Sequence, residues 1–229
     1  MMKAIVCLCV LLLATVAAAQ QPALESVLSR MDATAATFKS AEADFVWDQY
    51  EKVVNDTTTQ SGKMYFRRSG NQIHMAADIT GDTAGDKKYV LYQGDMVRVY
   101  QPNIDQVTEY ATGKDKDAFE SFLLLGFGGR GHDMLRSFDM QLLGNEMAGG
   151  VNAAKLQLIP KSQKARNVFD RILLWIDPAR GISVQQQFFE PSGNYRLAKY
   201  SNIKLNEKIP DDVFQLKTTG RTKVVNPKG

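Results

Sequence analysis

Gly126, Gly128 and Gly131 stand at G-x-G-x-x-G spacing inside FESFLLLGFGGRGHD, residues 119–133. Such a turn binds a dinucleotide when it follows a strand and opens a helix, so that backbone N–H groups meet the pyrophosphate. Here the glycines follow a helical pattern, no crossover to a parallel strand comes next, and no acidic residue closes a β-α-β unit. No nucleotide or other cofactor is expected. Glycine's second property is backbone freedom. Gly126, Gly128, Gly129 and Gly131 would form a hinge on which Phe119, Phe122, Leu123 and Phe127 swing as an apolar lid. The plainer reading is core residues followed by a loop, and both stand.

The remaining chemistry is sparse. There are two histidines, His74 and His132, too few for a zinc site without carboxylates at a suggestive spacing. His74 alternates out of phase with Ile73 and Met75 and is expected to face solvent; His132 would begin a helix beside Asp133. Asp82 and Asp86 lie in a glycine-rich turn, and Asn55-Asp56-Thr57 is a glycosylation sequon by pattern alone. No G-x-S-x-G elbow, P-loop or H-E-x-x-H occurs, so no enzyme activity is expected. An enzyme working through paired carboxylates would need Asp or Glu side chains brought together in a cavity.

Arg68 is the residue that asks for a reason. It shares strand parity with Met64 and Phe66, so if they face an interior, so does a guanidinium. A buried charge needs partners. Either the strand ends at Arg67 and Arg68 lies at a rim in water, or Arg68 reaches the free carbonyls at the C-terminal end of the lid helix, near Leu125–Gly128.

The elements that would hold these residues read mostly as strands. Residues 23–38 carry Leu24, Val27, Leu28, Met31, Ala35 and Phe38 on one face of a 3.6-residue period, an amphipathic helix. The period then changes to two. Phe45 and Trp47, Met64 and Phe66, and Ile73 and Met75 are the inward sets that would wall a cavity, with Met96 a further candidate. More strands are expected at 87–93, 96–101, 106–110, 138–146, 153–159, 168–176, 182–189, 194–204 and 213–217. Turn residues such as Gly94-Asp95 and Pro191-Ser192-Gly193 separate several of them. Short connections imply hairpins and an antiparallel meander. A second helical region interrupts the strands: a helix over Asp115–Leu125, the glycines, then a helical turn over Asp133–Ser137. The fold class is mainly β (α+β), one large curved antiparallel sheet with an N-terminal helix and a mid-chain helical lid.

The first residues are a leader. Lys3 precedes an apolar run from Ala4 to Val16, and Ala17-Ala18-Ala19 offers a small-residue cleavage site. Residues 1–19 are expected to be removed, leaving 20–229 as one domain. Both cysteines, Cys7 and Cys9, lie in the leader, so disulfides and thiolate chemistry are excluded from the mature chain. Gln20 stands where a lipid-anchored protein would carry a cysteine. The 28 Lys and Arg, less Lys3, against 25 Asp and Glu leave about +2. That balance predicts no nucleic-acid surface, and a soluble monomer is expected.

Taken in order, Ala43-Asp44-Phe45, Gly62-Lys63-Met64-Tyr65-Phe66-Arg67-Arg68, Val99-Tyr100-Gln101-Pro102 with Gln106-Val107, Leu158-Ile159-Pro160-Lys161, and Phe214 followed by Gly220 resemble the LolA-type periplasmic carriers of outer-membrane lipoproteins. The resemblance covers nearly the whole chain after the leader. It implies an incomplete β-barrel closed by a helical lid, with a cavity for the acyl chains of a lipoprotein. It places the family's lid-holding arginine on Arg68, and it implies an inner-membrane releasing complex and an outer-membrane acceptor as partners. The sequence departs from the family at Ser69, where proline is usual, at Thr218-Thr219-Gly220 for Pro-Pro-Gly, and in its glycine-rich lid. The alternative within the same fold is a lipid- or lipoprotein-sensing regulatory domain acting on a membrane partner.

Overall fold

The computed structural model describes residues 23–227 except 71, 82–85, 114, 115, 117–119, 121 and 122. The leader, both cysteines, Asp82, Phe119 and Phe122 therefore lie outside the described residues. The chain opens with helix α1, residues 23–37, as its period predicts. Twelve strands then build one sheet: β1 (Ser40–Glu51), β2 (Asp56–Ser69), β3 (Gln72–Thr80), β4 (Lys88–Gln93), β5 (Met96–Gln101), β6 (Gln106–Ala111), β7 (Phe138–Ala148), β8 (Val151–Pro160), β9 (Arg171–Asp177), β10 (Ile182–Phe189), β11 (Tyr195–Leu205) and β12 (Lys223–Val225). Their order in space is β12-β6-β5-β4-β3-β2-β1-β11-β10-β9-β8-β7. The ladder has two free edges, so the sheet is curved but unclosed.

The meander is antiparallel throughout except at one end. β12 joins β6 in parallel, Val224 opposite Val107. This strand has no signature in the sequence, because Lys223-Val224-Val225 is too short to show a period. It is fixed from outside the ladder: the Asp105 carboxylate accepts the hydroxyls of Thr219 and Thr222, each at 2.6 Å. Residues 213–217 are likewise not a strand. Asp211–Phe214 is a 3-10 turn opened by Pro210. The apolar Val213, Phe214 and Leu216 lie across the convex face of the sheet and pack on Ala76 and Leu91, so their pattern reflects one-sided burial rather than pairing.

This covering corrects the expectation for His74. Its parity does put it on the convex face, but the Phe214 ring meets it edge-on with centroids 6.2 Å apart, and the Arg67 guanidinium sits 4.3 Å over Phe214. Burial, then the Arg67 charge, push the His74 pKa below its ordinary value.

Two clusters fill the concave face. Val27, Leu28 and Met31 of α1 seat on Leu156, Leu158, Ile172 and Leu174 from β8 and β9. Phe45, Phe66, Ile73, Ala77, Ile79 and Tyr200 form the other, under β1–β3 and β11. Each fully buried large side chain contributes about 1.5–3 kcal/mol, so both halves of the trough have a strong apolar drive.

Candidate functional site

One chain segment joins the two clusters. Among its described residues, Lys116, Glu120 and Leu123 are helical and Leu124–Gly128 form turns, so the helix stops two residues earlier than its pattern predicts. Gly126 and Gly128 end it, with φ of +76° and +80°, a region that side chains other than glycine enter at a cost. The winding sends alternate residues to opposite sides. Leu125 enters the α1 cluster. Phe127, 1% exposed, enters the other, where it stacks on Phe66 at 5.5 Å and meets Tyr200 edge-on at 4.7 Å.

The glycines make close contacts that a side chain would forbid. A Cβ on Gly126 would stand 2.3 Å from the Cβ of Ser183, and one on Gly128 would stand 2.5 Å from the Phe38 ring. Gly129 and Gly131 press in the same way on the Leu124 carbonyl and the Leu28 backbone. This is no phosphate cradle: the loop follows a helix and its carbonyls, not its amides, are the groups engaged by the sheet.

Four polar ties hold the segment down among the described residues. Arg68 Nη2 donates to the Gly128 carbonyl at 3.0 Å, while its Nη1 donates to the Ala35 carbonyl near the end of α1 at 3.1 Å. The backbone N–H of Ser183, at a bulge in β10, donates to the Gly126 carbonyl at 2.8 Å. The Gln186 amide donates to the Leu125 carbonyl, and its oxygen accepts the Tyr200 hydroxyl at 3.0 Å. Tyr92 donates to Glu120 at 2.6 Å. The sequence reading expects one polar tie, at Arg68; the structure adds three. Gln186 was hidden because Gln185-Gln186-Gln187 reads as a uniformly polar stretch, although alternation puts only the middle residue inside. Burial also pushes the Tyr200 hydroxyl far above its ordinary pKa, so it stays a donor.

Beneath this segment lies a cavity of about 400 Å³. Phe45, Trp47, Met64, Phe66 and Met75 line it, and Leu123 and Phe127 cover it. Ile73 packs in the surrounding cluster without lining the cavity. Met96 has the opposite parity to Val97, and Val97 is the lining residue. Val90, Ile79, Phe188, Ala198, Arg196 and Tyr200 complete the wall. A second hollow of about 530 Å³ beside the segment carries Arg68, Glu120, Arg130 and Asp133, a charged lining unsuited to hydrocarbon. Among the described residues, no group of three or more His, Cys, Asp or Glu side chains could hold a metal ion, and no helix is long and apolar enough to cross a membrane.

His132 joins the segment's far end to α1. Its Nδ1 lies 2.6 Å from Asp32, its Nε2 lies 3.0 Å from Glu25, and its backbone N–H donates to Asp32 at 3.2 Å. The hydrogen bond with Asp32, then that with Glu25, hold the imidazole pKa above its ordinary value.

The family model described as outer membrane lipoprotein carrier protein LolA matches residues 36–217. No curated protein matches the chain. Among solved structures, the chain is similar to an uncharacterized conserved protein from Thermus thermophilus, with a TM-score of 0.56, 11% identity, and coverage of 88% of this chain and 98% of that one. It is similar to the Mycobacterium tuberculosis lipoprotein LppX, with a TM-score of 0.51, 15% identity, and coverage of 82% and 98%. It is also similar to the Pseudomonas aeruginosa MucA/MucB complex structure, with a TM-score of 0.50, 13% identity, and coverage of 84% of this chain and 60% of that one. At these identities the likeness is one of fold.

Proposed function

The chain belongs to the family of the outer membrane lipoprotein carrier protein LolA, and on that premise we propose that it is a periplasmic carrier which shelters the acyl chains of lipoproteins and passes them toward the outer membrane. The observation that carries this reading is the apolar cavity of about 400 Å³ under Leu123 and Phe127. Its volume falls within the roughly 300–1,000 Å³ typical of small-ligand sites. Each CH₂ taken from water contributes about 0.8 kcal/mol, so a site lined by carbon holds an acyl chain firmly.

Release needs a competing occupant. In this reading Phe127 and Leu123 are that occupant: they pack over the mouth of the cavity in the empty form and yield their place to the chain. Arg68 latches the empty, covered form through the Gly128 carbonyl, and the glycines serve as the hinge when the segment lifts. A ligand shifts such an equilibrium only by its difference in affinity for the two forms. Met64 and Met75 suit a wall that must fit more than one chain, because methionine adapts its shape. The reading includes two membrane partners, a releasing complex and an acceptor, as the family's mode of action suggests.

The test uses Trp47, a tryptophan in the cavity wall. Titration with a lipopeptide whose acyl chains carry bromine should quench its emission strongly, read in a Trp175→Phe background that removes the other tryptophan. Absence of quenching, together with no lipid found by mass spectrometry of protein purified from its native host, would end the carrier reading. A second reading, a lipid-sensing domain acting on a protein partner, draws support from the likeness to the MucA/MucB structure. Transfer of bound lipopeptide to acceptor vesicles separates them, since a sensor has no need to hand its ligand on.

A further inference from the structure

Two hydrogen-bond donors in the cavity wall have no acceptor. The indole Nε1 of Trp47 and the guanidinium Nε of Arg196 are both shut off from solvent and unpartnered, and both side chains line the cavity. Buried polar atoms are nearly always paired, so each exception asks for a cause. Across the β1–β11 ladder Trp47 stands opposite Ala198 and Gln49 opposite Arg196. Trp47 and Arg196 are thus diagonal neighbours on the concave face, roughly 7–8 Å apart.

The rest of Arg196 is engaged at the rim. Its Nη2 pairs with Glu190 at 3.0 Å, and its side chain is 40% exposed. The charge is answered there, while Nε stays buried without an acceptor. The other polar groups of the lining, Gln186 and Tyr200, are satisfied by each other and by the Leu125 carbonyl. The two open donors therefore stand alone beside a carbon surface, near the hairpin end of β1 and β11.

We infer that Trp47 and Arg196 form a polar collar that receives the carbonyl oxygen at the head of an acyl chain, so that the cavity prefers acyl esters to ethers or hydrocarbons of the same length. The inference rests on the carrier reading and names what that site selects. One carbonyl oxygen has two lone pairs and can accept from both donors. A phosphate or free carboxylate suits the collar less well, because Glu190 already neutralises the guanidinium and adds a like charge at the rim.

Calorimetric titration of the purified protein with monooleoylglycerol, with its ether counterpart oleyl glyceryl ether, and with oleate tests this. The ester should bind roughly 3- to 10-fold more tightly than the ether, the worth of about one net hydrogen bond. Trp47→Phe keeps an aromatic ring and removes the N–H, and it should bring the ratio toward one; Arg196→Met should do the same. Trp175→Phe, on the convex face, should leave the ratio as it is. Equal binding of ester and ether by the unaltered protein overturns the collar and leaves the carrier reading standing. Failure of every lipid to bind overturns both. Oleate binding more tightly than the ester, with the advantage lost in Arg196→Met, overturns the ester assignment in favour of an anion. If Arg196→Met does not fold, Trp47→Phe alone decides.

Discussion

Arg68 donates two hydrogen bonds, one to the Gly128 carbonyl of the glycine-rich segment and one to α1. Charged hydrogen bonds contribute about 1.5–3 kcal/mol each when sheltered, and partial exposure lowers the figure here. Replacing Arg68 by leucine leaves two carbonyls without donors in the covered empty form, while the loaded form, with the segment lifted, loses less. Release should therefore slow by about tenfold for each 1.4 kcal/mol of that difference, with uptake nearly unchanged. Transfer of a labelled lipopeptide from loaded Arg68→Leu to acceptor vesicles measures it; an unaltered rate removes Arg68 from the mechanism. Alternation in β2 puts Arg68 on the face of Met64 and Phe66, but whether it ends in water at the rim or on the carbonyls of Gly128 and Ala35 is decided by tertiary packing. Gln186 and Ser183 could not be read from the sequence, since their role depends on which loop the curvature brings over them. Met96 was misplaced by a single residue of parity, which in a strand is a change of face.

At the scale of elements, α1 and the far end of the glycine-rich segment share one titratable joint. Protonated His132 donates from both ring nitrogens, to Asp32 and to Glu25. Those carboxylates raise its pKa, so the stability it adds is fully present below the ordinary value of 6.5 and is lost as pH rises through the raised one. Asp32 behaves in the opposite sense. Burial pushes its carboxyl up, but hydrogen bonds from His132 outweigh this and the pKa ends below 3.8, so its contribution is present above that value and lost as pH falls further. The joint is strongest between these limits, with Arg130 adding a smaller attraction for Asp32. Thermal melts should show the protein losing stability on the alkaline side of pH 6.5 relative to His132→Gln, whose curve lacks that slope; parallel curves would assign the joint no weight. Helix α1 was legible from its period, and so were most strands. The glycines were legible as special but not for their contacts, because the closeness of Ser183 and Phe38 to them is a property of tertiary packing. The belt from Ile209 to Leu216 imitated a strand, since apolar residues laid flat on a sheet show the same spacing as residues within one.

At the scale of the molecule, the ladder from β12 to β7 does not close. Edge β7 is interrupted by a register shift between Leu142 and Gly144, which bends the strand and discourages pairing with another chain. A curved sheet with two free edges can widen without breaking a ladder hydrogen bond. Spin labels at Tyr110→Cys and Met147→Cys, both on exposed sites near the two flanks, should move apart as longer acyl chains are loaded. A distance distribution that ignores chain length would mean a wall of fixed curvature.

The stretch from Ile209 to Val225 crosses behind the β2–β4 region and fastens to β6. It acts as a hoop around one flank. The opposite flank, from β7 to β9, is backed from within by α1, and its outer face carries only the small cluster of Ala148, Ala153, Leu173, Trp175 and Val184 among the described residues. If the sheet does widen around a bound chain, the flank without the hoop is the side expected to yield first.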